Sequence, residues 1–106
     1  MKTGDSIPGI VGYEYDVITT SGAGTSPTGL VTLGASPVVD TYGDSFDCYS
    51  TYYRHSSGAG VWASGSIFWC QGLDNFGQST DKRDSRAQRI TQNILDRLMY
   101  MGRATL

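Results

Sequence analysis

Several things are scarce or missing from these 106 residues, and each absence removes a class of function. No apolar run approaches the roughly 20 residues needed to cross a bilayer. The opening Met1-Lys2-Thr3-Gly4-Asp5 lacks the hydrophobic stretch of a secretory leader. Only two cysteines, Cys48 and Cys70, are present, too few for a disulfide scaffold and without metal-ligand spacing. Both are expected to be buried thiols, with a single Cys48–Cys70 disulfide as the other reading. These features point to a cytoplasmic protein with no membrane partner. Basic residues are no more abundant than acids, and the net charge is -2. Nucleic acid is therefore not expected as a partner, because a phosphate backbone calls for a clustered basic footprint. Lys82, Arg83, Arg86, Arg89 and Arg97 do gather, but among acids on what reads as a solvated helix.

Catalytic signatures are equally sparse. His55 is the single histidine, and no Gly-x-Ser-x-Gly elbow accompanies it, so a polar loop residue is expected there. Gly22-Ala23-Gly24 resembles the opening of a dinucleotide loop but has neither a third glycine nor a helix after it.

What remains is organised around Gly58 to Asp74, which holds both tryptophans. Val61, Ala63 and Gly65 fall on one face of an extended segment, Trp62 and Ser64 on the other. The chain is expected to bend at Gly65-Ser66 and to leave the core through Ile67-Phe68-Trp69. Further strands are expected near residues 10–17, 30–34 and 48–55, with the central one spanning 60–69. Tyr42-Gly43-Asp44 reads as a turn, and Ser56 to Gly60 as a five-residue hairpin loop. From Ser85 the period changes to 3.6. Ala87, Ile90, Thr91, Ile94, Leu98 and Met101 make one stripe, widened by Leu95. Asp84 suits the N-cap and Gly102 the C-terminal stop. The fold class is α/β: a small mixed β-sheet of about four strands with one long helix near 85–101, forming a single domain or domain fragment over 1–106.

Glu14 and Asp16 alternate with Tyr13 and Tyr15, which places both carboxylates on one face of a strand. They are either an acid/base pair in a cleft or the solvated side of an edge strand. Tyr42, Tyr49, Tyr52 and Trp62 offer an aromatic sheet surface suited to sugar or protein partners, against the alternative of core and cross-strand packing. Tyr52, Trp62 and Ser66 are the candidate binding surface. In that reading the chain is a non-catalytic binding or oligomerisation module.

Gly12-Tyr13-Glu14-Tyr15-Asp16, Ala35-Ser36-Pro37 and Ser50-Thr51-Tyr52-Tyr53 occur in order. They precede Ser57-Gly58-Ala59-Gly60-Val61-Trp62-Ala63-Ser64-Gly65-Ser66-Ile67-Phe68-Trp69 with Gly72-Leu73-Asp74, and a helix bearing Arg89-Ile90-Thr91-Gln92. Together they resemble the C-terminal part of the N,N-dimethylformamidase large-subunit family. The resemblance implies the closing part of a three-layer α/β domain of the class I glutamine-amidotransferase-like type. It also implies hydrolysis of small amides with a mononuclear iron held by tyrosine and glutamate. Those ligands fall outside the matched stretch, so no metal ligand and no cofactor are expected in this chain. Glu14 is implied as a carboxylate near the active site, with Asp16 a weaker companion. The partners implied are the upstream half of the parent protein or a second copy of the chain, and a small amide substrate.

Overall fold

Strands form where β-branched and aromatic residues run together. The computed structural model describes residues 2–18 and 24–104. Its sheet has three strands: β1 (Val31–Val39), β2 (Ser45–Arg54) and β3 (Gly60–Ala63). They lie in the order β1-β2-β3, and both pairings are antiparallel. The sheet is thus antiparallel, not mixed, and one strand smaller than expected.

Register fixes which side chains share a face. Tyr52 pairs with Trp62 and Cys48 with Ser36, so Cys48, Ser50, Tyr52 and Trp62 look one way. Tyr49 pairs with Ala35 and Tyr53 with Val61, and these look the other way. β1 is longer than its Leu30-Val31-Thr32-Leu33-Gly34 core predicts, because it continues through Pro37 to Val39. Its position at the sheet edge explains the tolerance, since an edge proline need sacrifice no ladder hydrogen bond. The turn between β1 and β2 is tied by Asp40, whose Oδ1 accepts from the amides of Tyr42 at 2.8 Å and Asp44 at 2.9 Å. The β2–β3 loop closes one residue earlier than expected, over 55–59, with the His55 amide donating to Ala59 O at 2.8 Å.

One expected strand is absent and another stops early. Residues 10–17 make only the isolated bridges Gly12↔Glu14 and Tyr15↔Ser66, and Tyr13 turns through a φ of 63°. The segment folds around the Ser66 side chain, so its backbone never extends along a neighbour. The second loss lies in 60–69, where β3 stops at Ala63 and Gly65 takes a φ of 83°. Residues Ile67–Gly72 form a 3₁₀ turn with Ser66 as its N-cap. Ile67 therefore ends half exposed, not pinned inside.

The helix α1 runs from Ser85 to Ala104, past Gly102, which does not end it. Asp84 caps it as expected, Oδ1 accepting from the Arg86 amide at 2.8 Å. Ala87 and Met101 are buried and Ile90, Thr91, Ile94 and Leu98 half-buried, so the stripe is real. Leu95, by contrast, is 49% exposed and lies outside it.

The helix covers the Tyr52–Trp62 face: Tyr52 Oη sits 3.2 Å from Met101 Sδ, and Trp69 Nε1 donates to Thr91 Oγ1 at 2.9 Å. Ile10, Cys48, Ala87 and Met101 are the buried apolar residues at the centre. Among the described residues, the opposite face at Tyr49, Tyr53 and Val61 is lined by Asp16 to Ile18 and by the loop from Gly24 to Leu30. Of the cysteines, Cys48 is buried, but Cys70 rides the outside of the 3₁₀ turn and is exposed. Both thiols are free, so there is no disulfide. No helix among the described residues is long and apolar enough to cross a membrane.

Candidate functional site

One hydroxyl organises the region where the sequence places Glu14, Asp16 and Ser66. Ser66 is 9% exposed, and its Oγ accepts from the Gly12 amide at 3.0 Å and from the Phe68 amide at 3.3 Å. Its single proton is shared between the carbonyls of Gly12 and Glu14, each 3.2 Å away. One small side chain thus caps the 3₁₀ turn and clasps the Gly12–Glu14 segment against it.

Gly65 makes this approach possible. At its φ of 83° a Cβ would run into the Tyr49 carbonyl, with the carbonyl carbon only 2.8 Å away. The Gly65 carbonyl accepts from the Asp16 amide at 2.7 Å and from the buried Cys48 thiol at 3.1 Å. The Asp16 carbonyl in turn accepts from the Tyr49 amide at 3.2 Å. Burial pushes the Cys48 thiol up from its ordinary pKa, so it is protonated and serves as a donor.

Glu14 and Asp16 therefore contribute their backbones to the clasp and leave their carboxylates outside. Both residues are exposed, and they line one open depression with Ser64, Gly65 and Ser66. As it stands, the depression holds two solvated carboxylates beside a buried hydroxyl. It can accept hydrogen bonds and repel anions, but nothing in it excludes water.

The aromatic candidates divide. Tyr52 and Trp62 are half-buried and turned inward: Trp62 meets Trp69 edge to face at 5.6 Å, and its Nε1 donates to Ser50 Oγ at 3.2 Å. Tyr49 is half-buried on the opposite face, and Tyr42 is 90% exposed at the β1–β2 turn. Sequence reasoning missed a further set. Tyr13 stacks on Phe68 at 6.2 Å, and Lys82 Nζ lies 5.4 Å from the Phe68 ring. A left-handed, exposed tyrosine leaves no trace in a hydrophobic pattern, although Gly12 before it was a hint of irregular backbone.

Elsewhere the charges pair locally. Arg86 holds the Asp84 carboxyl well below the usual carboxylate range, at about 2, through a 2.6 Å ion pair. Arg83 lowers Asp81 in the same way, through its side-chain hydrogen bonds. Among the described residues no three His, Cys, Asp or Glu side chains converge as a metal-binding group. Glu14 and Asp16 flank a half-buried Tyr15 and form no such set, so the residues described do not fit an iron centre.

The family model for N,N-dimethylformamidase beta subunit-like, C-terminal, matches residues 1–84, which contain the whole clasp and end at the helix cap. No curated protein and no solved structure matches the chain.

Proposed function

Since the chain belongs to the N,N-dimethylformamidase beta subunit-like C-terminal family, we propose that it is the C-terminal segment of an amide hydrolase of that kind. It provides a folded surface on which the remainder of the enzyme packs, and does not hydrolyse amides alone. The observation that carries this reading is the amount of surface left uncovered. The chain exposes 7830 Å², whereas area–mass scaling gives about 5,800 Å² for a free-standing monomer of 11.4 kDa. The surplus of about 2,000 Å² is on the scale that permanent interfaces bury. Likewise the radius of gyration is 15.2 Å, against about 13 Å for a domain of this length.

In this proposal the three-stranded sheet is the closing part of a larger three-layer α/β domain of the glutamine-amidotransferase-like type. Its partly lined face and the free edge of β1 are where the missing layer and strands belong. The partner is the upstream part of the parent enzyme, or a second copy where none is available. Two free thiols suit the reducing cytoplasm. Glu14 lines the open depression beside Ser64, Gly65 and Ser66. Packing another layer over the depression would desolvate its carboxylate, and desolvation is what raises a carboxyl pKa toward that of a general acid or base.

The experiment is reconstitution. A full-length family member is truncated before the segment that corresponds to this chain, then assayed for dimethylformamide hydrolysis and iron content with and without the purified chain. Restored turnover with unchanged iron supports the proposal; a truncated enzyme that is fully active alone refutes it. In the reconstituted enzyme, Glu14→Gln is expected to reduce turnover at least tenfold with iron content unchanged. Unaltered turnover would make Glu14 a solvated surface residue.

A further inference from the structure

Gly34 lies inside β1, where a glycine weakens a strand, and neither a left-handed backbone nor a crowding neighbour calls for it. Its φ is not positive, and a Cβ built on it would meet nothing closer than Ser50 Cβ at 3.9 Å. Gly60, Gly65 and Gly72 contrast with it, since a Cβ at each would collide with neighbouring atoms. The space above Gly34 is a cavity of about 270 Å³ between the inner face of the sheet, the N-terminal segment at Ile10, and Trp69 and Ile90. A bulge between Thr32 and Gly34 shifts the strand register at its edge, and bulges commonly re-aim side chains beside binding sites.

The polar groups on the sheet wall are nearly all engaged with the protein itself. The Cys48 thiol donates to Gly65 O, Ser50 Oγ donates to Ala63 O while accepting from Trp62, and Ser64 Oγ donates to Ser66 O. Ser36, half-buried two residues along from Gly34, is the exception: its hydroxyl has no partner among the described residues. No cationic side chain lines the cavity, and Asp5 places a carboxylate at it.

From this arrangement we propose that the cavity over Gly34 binds a compact, uncharged, mostly apolar molecule whose single carbonyl or hydroxyl oxygen hydrogen-bonds to Ser36. The volume sets the size. Pockets for drug-sized ligands span about 300–1,000 Å³, so this one takes a ring of six or so atoms and is too small for a strand or helix of a partner protein. Gly34 keeps the floor clear for the ligand, Trp69 and Ile90 supply apolar contact, and Asp5 repels anions. The site lies on the inner face of the sheet, and its assignment is independent of the role proposed for the open face.

The test is a ¹H–¹⁵N NMR titration of the full chain with cyclohexanone, with benzene as a probe that cannot accept a conventional hydrogen bond and cyclohexanecarboxylate as a charged one. The expected result is saturable shifts confined to Gly34, Ser36 and the Trp69 indole, with a dissociation constant on the order of 1 mM for a ligand of this size. Cyclohexanecarboxylate should not bind. Gly34→Val fills the cavity and should abolish binding of both neutral probes without lowering the melting temperature, with Gly34→Ala as the milder variant, weakening them several-fold. Ser36→Ala should weaken cyclohexanone about fivefold, the scale of one neutral hydrogen bond, and leave benzene unchanged. Shifts that fail to saturate, or binding untouched by both Gly34 variants, would overturn the site. Equal loss of both probes in Ser36→Ala would overturn the role of the hydroxyl.

Discussion

Ser66→Ala removes a single oxygen atom, yet it should be among the most destabilising small changes in the chain. The lost atom accepts two backbone N–H groups, from Gly12 at 3.0 Å and Phe68 at 3.3 Å, and donates to one of two carbonyls at 3.2 Å. The Glu14 carbonyl keeps a partner in the Ile67 amide at 3.3 Å, but Gly12 loses its bonds on both sides. A hydrogen bond is worth about 1 kcal/mol net, and a buried group left unpaired costs about 1–3 kcal/mol. The Gly12 and Phe68 groups are half-buried, so water recovers part of this. The expected loss is about 2–3 kcal/mol for the set, against a total stability of about 5–15 kcal/mol for an ordinary domain.

At about 4–8 °C per kcal/mol for a domain near this size, the melting temperature should fall by about 8–24 °C. Urea denaturation followed by tryptophan fluorescence measures the free energy directly. Amide hydrogen exchange separates causes: Gly12 and Phe68 should lose protection beyond the global change, because their acceptor is gone. Ser66→Thr keeps the hydroxyl and should recover most of the stability. A loss below about 0.5 kcal/mol, the ordinary range of a surface substitution, would refute the clasp as the organising contact.

Gly65→Ala forces a left-handed alanine, at about 1–2 kcal/mol, and drives its methyl against the Tyr49 carbonyl, at about 1–3 kcal/mol more. A urea midpoint near that of the native chain would contradict the geometry. Cys70 should react with a thiol reagent in the folded chain and Cys48 only on unfolding, since Cys48 is 2% exposed and its thiol pKa is raised; equal rates under native conditions would exclude this placement. Asp84 has its pKa depressed in the fold, to about 2 from 3.8. The stability it contributes is therefore present above about pH 4 and lost as pH falls toward about 2. Helicity followed by circular dichroism across that window should decline more in the native chain than in Asp84→Asn, and identical profiles would show that the Arg86 pair contributes nothing.

The parts of this fold that local pattern determines could be read from the sequence. The period of 3.6 after Ser85 gave the helix and its buried stripe, and Asp84 announced its cap. Aromatic and β-favouring residues from Cys48 to Arg54, followed by a glycine-rich loop and the Val61–Trp62–Ala63 alternation, gave the β2–β3 hairpin. Leu95 was misassigned because hydrophobicity alone cannot say where a helix stripe ends. β1 was cut short at Gly34, since a proline weighs against a strand unless its place at the edge is known.

The lost strand at 10–17 and the shortened one at 60–69 share one cause, and it is not local. Val11, Tyr13 and Tyr15 alternate as a strand does, and Ile67-Phe68-Trp69 is a short apolar run that periodicity cannot assign to strand or helix. Ser66 resolves both. As an N-cap it starts the 3₁₀ turn, and across a separation of 54 residues the same oxygen bends the Gly12–Glu14 backbone around itself. The capping half of that role was open to sequence reasoning, since a serine before an apolar run is a helix-start signal. The clasping half needs a contact between distant segments, which no window on the chain contains. The same limit applies to the carboxylates. Alternation put Glu14 and Asp16 on one strand face, whereas the structure sets them on one depression through their backbone bonds to the Gly65–Ser66 bend, with no strand at all. Their joint position therefore depends on Ser66 and Gly65. A substitution at either should displace both carboxylates before it unfolds the sheet.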